Sequence, residues 1–148
     1  MLQRGCINQI FRIMVVKITV QMTKEHRFTL SDGRSLDELN PKEMLLYATA
    51  DCAGRTIESL LKEHIASVKL MELTMEGTLS TPTVVAESKF THFNLSYRLE
   101  CNTLKEQVIL SRAVNLTHDK YCGLLEMMRR IAPVAHEISI VATDEIMA

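Results

Sequence analysis

Residues 40–62 read NPKEMLLYATADCAGRTIESLLK, and the fold turns on them. Asn40 is a preferred N-cap, Pro41 suits the first helical position, and Glu43 at the third completes a capping arrangement, so the spacing predicts a helix that starts here. Running to about Lys62, it is roughly 33 Å long, comparable to the diameter of a small domain. Met44, Leu45, Leu46, Ala48, Ala50, Ala53, Ile57, Leu60 and Leu61 leave it little polar face, and Gly54 beside Ala50 and Ala53 permits close backbone approach. A helix of that composition is buried on most sides and must be central.

Outward from it, residues 15–22 alternate apolar and polar with β-branched side chains, and 27–30 form a second short strand before the Ser31-Asp32-Gly33 turn, which predicts a hairpin. Residues 68–78 and 84–100 read as long antiparallel strands joined at Ser80-Thr81-Pro82. Thr103-Leu104-Lys105-Glu106 is a capping box that opens a helix burying Val108, Ile109, Ala113 and Leu116. After a break at 117–119, residues 121–131 are helical until Pro133 stops them, and 137–141 make a last strand. The order ββ-α-ββ-αα-β predicts an α+β fold, an antiparallel sheet packed on a long central helix. One domain is expected over residues 14–148, with 1–13 as a weakly ordered extension.

The 148-residue chain has room for one core and not for two large domains. With 17 Lys and Arg against 18 Asp and Glu, the formal charge is −1, so no global basic field exists to hold nucleic acid or an anionic membrane. No run approaches a membrane span: the best candidate, residues 7–20, is interrupted by Arg12 and Lys17. The first residues lack the apolar stretch and small-residue cleavage site of a secretory signal, so a soluble, cytoplasmic protein is expected.

Four cysteines, Cys6, Cys52, Cys101 and Cys122, show no CxxC pair and no disulfide framework. Cys52 sits about three turns into the long helix, where the dipole has faded; Arg55 at i+3 favours a thiolate and neighbouring Asp51 opposes it. With Asp119 as N-cap, Cys122 falls in the first turn of its helix and is, on local physics, the more acidic thiol. Burial as a small apolar residue is the competing reading for both. His118 and Cys122 at i and i+4 put two ligands on one helical face, but no second pair completes a tetrahedral metal site. His64, His92 and His136 read as surface or satisfied histidines, Met127-Met128 as core, and Lys120, Arg129 and Arg130 as a solvated face. Walker loop, GxGxxG and serine elbow are all missing, and no cofactor or metal is expected.

Asn40-Pro41-Lys42-Glu43-Met44-Leu45-Leu46 with Cys52 following, and Lys120-Tyr121-Cys122 opening a later helix, resemble the OsmC-like family, which includes organic hydroperoxide resistance proteins. The resemblance spans residues 15–141 and includes Phe90-Thr91-His92-Phe93-Asn94-Leu95 and Ser111-Arg112-Ala113-Val114-Asn115-Leu116. It implies that Cys52 is the peroxidatic thiol and Cys122 the resolving one, in an intertwined homodimer with each site at the subunit interface. In the hydroperoxidase members an acidic residue follows the Asn-Pro pair and orients an arginine from an early loop. Here Lys42 holds that place, Glu43 is the nearest carboxylate with helix capping as its other reading, and Arg27 and Arg34 are the available arginines. The expected function is reduction of organic hydroperoxides by a peroxidase whose disulfide an external dithiol reopens. The alternative is a non-catalytic binding or redox-sensing module on the same fold.

Overall fold

The computed structural model describes residues 13–144. The expected N-terminal extension therefore lies, apart from Ile13, outside the described residues. Eight main elements follow in order: β1 (Met14–Met22), β2 (Phe28–Leu30), α1 (Pro41–Leu61), β3 (Leu70–Leu79), β4 (Phe90–Cys101), α2 (Leu104–Leu116), α3 (Gly123–Ile131) and β5 (Val134–Ala142). The fold is α+β, as the element order predicts. Five strands form one sheet in the order β2-β1-β3-β4-β5. Alternation decides its two faces: Val16, Ile18 and Val20 of β1, Met71, Leu73 and Met75 of β3, and Leu95, Tyr97 and Leu99 of β4 point inward and are buried. The outer face is polar, with Thr19 bonded to Thr74 across β1 and β3 and Arg98 paired with Glu72 and Glu100.

Helix α1 begins as its sequence requires. Asn40 Oδ1 accepts from Glu43 N–H at 2.9 Å, and Glu43 Oε1 accepts from Asn40 N–H at 3.1 Å, so the capping box is closed. The helix lays Leu46, Ala50, Ala53, Ile57 and Leu61 into the core beneath β1 and β3. Gly54 faces the ring of Phe28 across the hairpin, a contact that a larger residue could not make. Burial is less complete than the composition predicts: α2 and α3 pack against α1, but Met44 and Leu45 in its first turns stay exposed.

Other expectations change: Val108 on α2 and Met127 on α3, expected to be buried, are exposed. The strand read from 84 begins only at Phe90; residues 80–89 form a loop closed by Ser88 Oγ, which takes the Val85 N–H at 3.0 Å and bonds Thr81. Pro82 removes a ladder donor there, and Lys42 Nζ fastens the loop to α1 through Val85 O at 3.0 Å. The last strand is longer than expected, Val134–Ala142, and runs parallel to β4, so the sheet is antiparallel only through its first four strands. Helices α2 and α3 return the chain to the starting end of β4, and a crossover of that kind delivers a parallel neighbour.

The Gly54–Phe28 contact is open to test. Ala is favoured over Gly in a helix by about 1 kcal/mol. A Cβ at position 54 would lie 2.5 to 2.9 Å from three ring atoms of Phe28, itself only 4 % exposed. Overpacking of this kind costs about 1–3 kcal/mol, so Gly54→Ala should lower the urea midpoint. A raised midpoint would mean that the ring swings aside freely.

Candidate functional site

Helix α1 carries Cys52 on the flank that faces α3, and the chain brings Cys122 to it from 70 residues away: Cys122 Sγ donates to Cys52 Sγ at 3.5 Å. The two thiols have different surroundings. Cys52 is half-buried and opens onto a groove of about 570 Å³, walled by Met44, Tyr47, Ala48 and Leu124 and rimmed by Asp51 and Arg55. Cys122 is 1 % exposed and lies behind it.

The local reading of Cys122 needs correction. Asp119 is not the N-cap of α3. After Leu116 the backbone widens into a π-helical turn, Thr117–Tyr121, and the Cys122 N–H reaches back to Thr117 O at 3.1 Å. Cys122 itself is the N-cap, with extended φ and ψ. The backbone N–H groups of Leu125 and Leu124 do point at its sulfur and favour the anion, as a helix start should. Burial outweighs them and, with Cys52 beside it, pushes the Cys122 thiol up to about 12. It is not an acidic thiol.

Arg55 and Asp51 pair with each other. Arg55 Nε donates to Asp51 Oδ2 at 2.9 Å, so the guanidinium charge is directed at the carboxylate, while Asp51 Oδ1 is buried without a hydrogen-bond partner. Glu43 does meet an arginine: Arg34 Nη1 donates to Glu43 Oε2 at 3.0 Å, and Arg34 Nε donates to Asp32 at 2.8 Å. Cys52 lies nine positions after Glu43, which is about 13.5 Å along the axis and half a turn around it. The arginine–carboxylate pair and the thiol pair are therefore on different faces of α1 within the chain. Both readings of Glu43 have a counterpart, since one oxygen caps the helix and the other holds Arg34. Arg27 makes no ion pair among the described residues.

His118 is not aimed at a ligand shared with Cys122. Its side chain is buried, and its Nδ1 lies 2.8 Å from Tyr97 Oη. Among the described residues no group of three His, Cys, Asp or Glu could hold a metal ion. The sequence reading missed Tyr97, Tyr47 and Leu124. Tyr97 left a signal: its inward position on β4 buries a hydroxyl, which demands a partner. Tyr47 spends its hydroxyl on Phe28 O at 3.2 Å and presents its ring to the groove. Cys101 is buried at the end of β4, with Sγ toward Thr103 O and Val141 O, and takes no part in the pair.

The site is a half-buried free thiol 3.5 Å from a buried one, on two helices packed over an α+β sheet. The chain belongs to the OsmC-like family: the model of OsmC-like proteins matches residues 32–137. It is 32 % identical to protein YhfA of Escherichia coli strain K12 over 116 residues, covering 76 % of this chain and 82 % of that one. Among solved structures, a hypothetical protein from Aquifex aeolicus VF5 matches at a TM-score of 0.58 with 23 % identity, over 88 % of this chain and 99 % of the other. An organic hydroperoxide resistance protein OsmC from Legionella pneumophila aligns at 0.47 with 17 % identity, over 84 % and 96 %. No helix among the described residues is long and apolar enough to cross a membrane.

The raised Cys122 thiol makes a pH prediction. An unfolded thiol ionises near ~8.5, whereas the folded one keeps its proton to about 12. Above ~8.5 the folded state binds more protons than the unfolded one, so stability falls as pH rises, by up to about 1.4 kcal/mol per pH unit. Urea midpoints of the reduced protein at successive pH values from 7 upward should fall more steeply than those of Cys122→Ser. Equal slopes would show that Cys122 ionises freely in the fold.

Proposed function

We propose that this chain is a thiol-dependent peroxidase that reduces organic hydroperoxides, with Cys52 as the peroxidatic and Cys122 as the resolving thiol. The observation that carries the reading is the 3.5 Å contact between one accessible and one buried sulfur. Peroxide arriving through the apolar groove meets Cys52 first. The Cys52 thiolate attacks an oxygen of the O–O bond, the alkoxide leaves and takes a proton to become an alcohol, and Cys52 is left as a sulfenic acid. Cys122 then attacks that sulfur: the S–S bond forms, the S–O bond breaks, and the hydroxyl departs with the Cys122 proton as water. An external dithiol reopens the disulfide by exchange. No cofactor or metal enters this cycle. The groove wall of Met44, Tyr47, Ala48 and Leu124 suits an alkyl substituent rather than hydrogen peroxide alone. The reading takes the protein to act in the cytoplasm, where thiols stay reduced.

The second reading, a binding or redox-sensing module, draws on two observations. Lys42 is engaged with the 80–89 loop, and the Arg34–Glu43 pair lies away from Cys52 within the chain. Continuous consumption of cumene hydroperoxide with dithiothreitol supports the enzyme; a single stoichiometric oxidation supports the sensor. In the enzyme, Cys52→Ser should abolish consumption, while Cys122→Ser should complete one oxidation, trap the sulfenic acid on Cys52 and overoxidise under excess peroxide. A sulfenic acid found by mass spectrometry on Cys122 in the Cys52→Ser variant would reverse the assignment.

The assembly in this reading is an intertwined homodimer. Its support is apolar side chains left exposed: Met44 and Leu45 on α1, Met127 and Ile131 on α3, and Tyr121 before it. Light scattering should give twice the 16.8 kDa of one chain. A monodisperse species of one chain's mass would exclude it.

A further inference from the structure

Cys122 is delivered to Cys52 by the five-residue turn Thr117–Tyr121, whose two buried residues are Thr117 and His118, and of these His118 is the one whose side chain is hydrogen-bonded. Thr117 Oγ1 is buried without a hydrogen-bond partner, and Lys120 stands over the exposed ring of Tyr121. His118, 3 % exposed, is gripped from three elements. Tyr97 Oη on β4 lies 2.8 Å from its Nδ1, the ring of His136 on β5 lies against its own at 4.1 Å between centroids, and the Arg129 guanidinium of α3 donates to its backbone oxygen. Tyr97 is buried as an un-ionised phenol and His118 is held neutral, so the arrangement that strands no buried O–H has Tyr97 donating to Nδ1. The contact with Arg129 ties the turn to the helix that Cys122 caps.

We propose that Tyr97, His118 and Arg129 form a clamp that sets how fast Cys122 closes on Cys52, with the Tyr97–His118 hydrogen bond as its decisive contact. These are positioning residues. The proposal rests on the two-thiol reading of the site and extends it to the residues that govern resolution. The closing distance makes precision matter: the sulfurs stand 3.5 Å apart and a disulfide needs about 2.05 Å, so Cys122 must advance by about 1.5 Å along the right line. A misplacement of about 1 Å can cost 100-fold in a positioned reaction.

The test uses the full chain with Cys6→Ser and Ellman's reagent, which separates the two thiols without peroxide. Cys52 attacks the reagent and releases one thionitrobenzoate, leaving a mixed disulfide. Cys122 then displaces the second thionitrobenzoate as the internal disulfide forms. Tyr97→Phe should leave the first release within twofold of the parent and slow the second at least fivefold. His118→Asn, whose side-chain oxygen can take the Tyr97 proton, should keep the second release within threefold, whereas His118→Leu should slow it as Tyr97→Phe does. The asparagine–leucine comparison carries the test if the phenylalanine variant does not fold. A second release unchanged in both Tyr97→Phe and His118→Leu, or both releases slowed in proportion, overturns the clamp. Alkyl hydroperoxide is assayed on the parent alongside: if it leaves Cys52 unoxidised while the two releases behave as stated, the clamp stands and the peroxidase reading falls.

Discussion

The close seat of α1 on the sheet is the constraint on which the rest of the molecule depends. Ala50, Ala53 and Gly54 give the helix a small-residue face, and Phe28 of the neighbouring hairpin fills the space that Gly54 leaves. Larger side chains there would lift the helix by the radius of a methyl group or more, and close-packed interiors do not absorb that. Cys52 lies beside Ala53 on the same helix, so its place relative to α3 follows from this seat. The capping box fixes where the helix begins, and the sheet contact fixes its depth. Cys52 then has only one free variable, the position of whatever packs on its other flank.

That flank is α3, and there two electrostatic effects oppose each other. The N–H groups of Leu124 and Leu125 turn toward the Cys122 sulfur and favour a thiolate, while exclusion of water favours the thiol. Desolvation wins because the sulfur is nearly sealed. A helix N-terminus is a site for an anion only when its charge is not otherwise penalised by burial. The same sealing denies a bulky oxidant direct access to Cys122. Burial therefore both shields Cys122 from oxidant and holds it in the thiol form.

Much of this was legible in the amino-acid sequence, and what was not has a common cause. The caps at Asn40 and Thr103 are local hydrogen bonds within four residues, and both close as their spacing requires. Alternation placed β1, β3 and most of β4. The direction of β5 was not readable, because it depends on where two helices bring the chain back. Neither was the start of α3. Asp119 is a good N-cap by type, but the turn before α3 is π-helical and its His118 lies inward, against Tyr97, 21 residues earlier, and His136. Residue type alone left Cys52 and Cys122 open between burial and chemistry, and the family resemblance pointed to them; their contact across 70 residues is a property of packing. Glu43 shows the limit from the other side, since its capping bond was legible and its bond to Arg34 was not.

For the resolving role proposed here, a thiol held at about 12 looks unsuited, since about one molecule in 100,000 would carry a thiolate at pH 7. Position offsets that deficit. Well-oriented intramolecular reactions reach effective molarities of about 10⁵–10⁸ M, which is as large as the loss in thiolate fraction or larger. In the proposed cycle the Cys122 proton also has a destination, the hydroxyl leaving Cys52, so a free thiolate need not accumulate. The acidity that a helix start would have conferred is thus dispensable for the second step, while burial keeps Cys122 from being oxidised before Cys52. In the proposed cycle a buried, un-ionised thiol in contact with an accessible one serves the sequence of steps better than two acidic thiols would, and the proposed clamp on His118 would hold that contact.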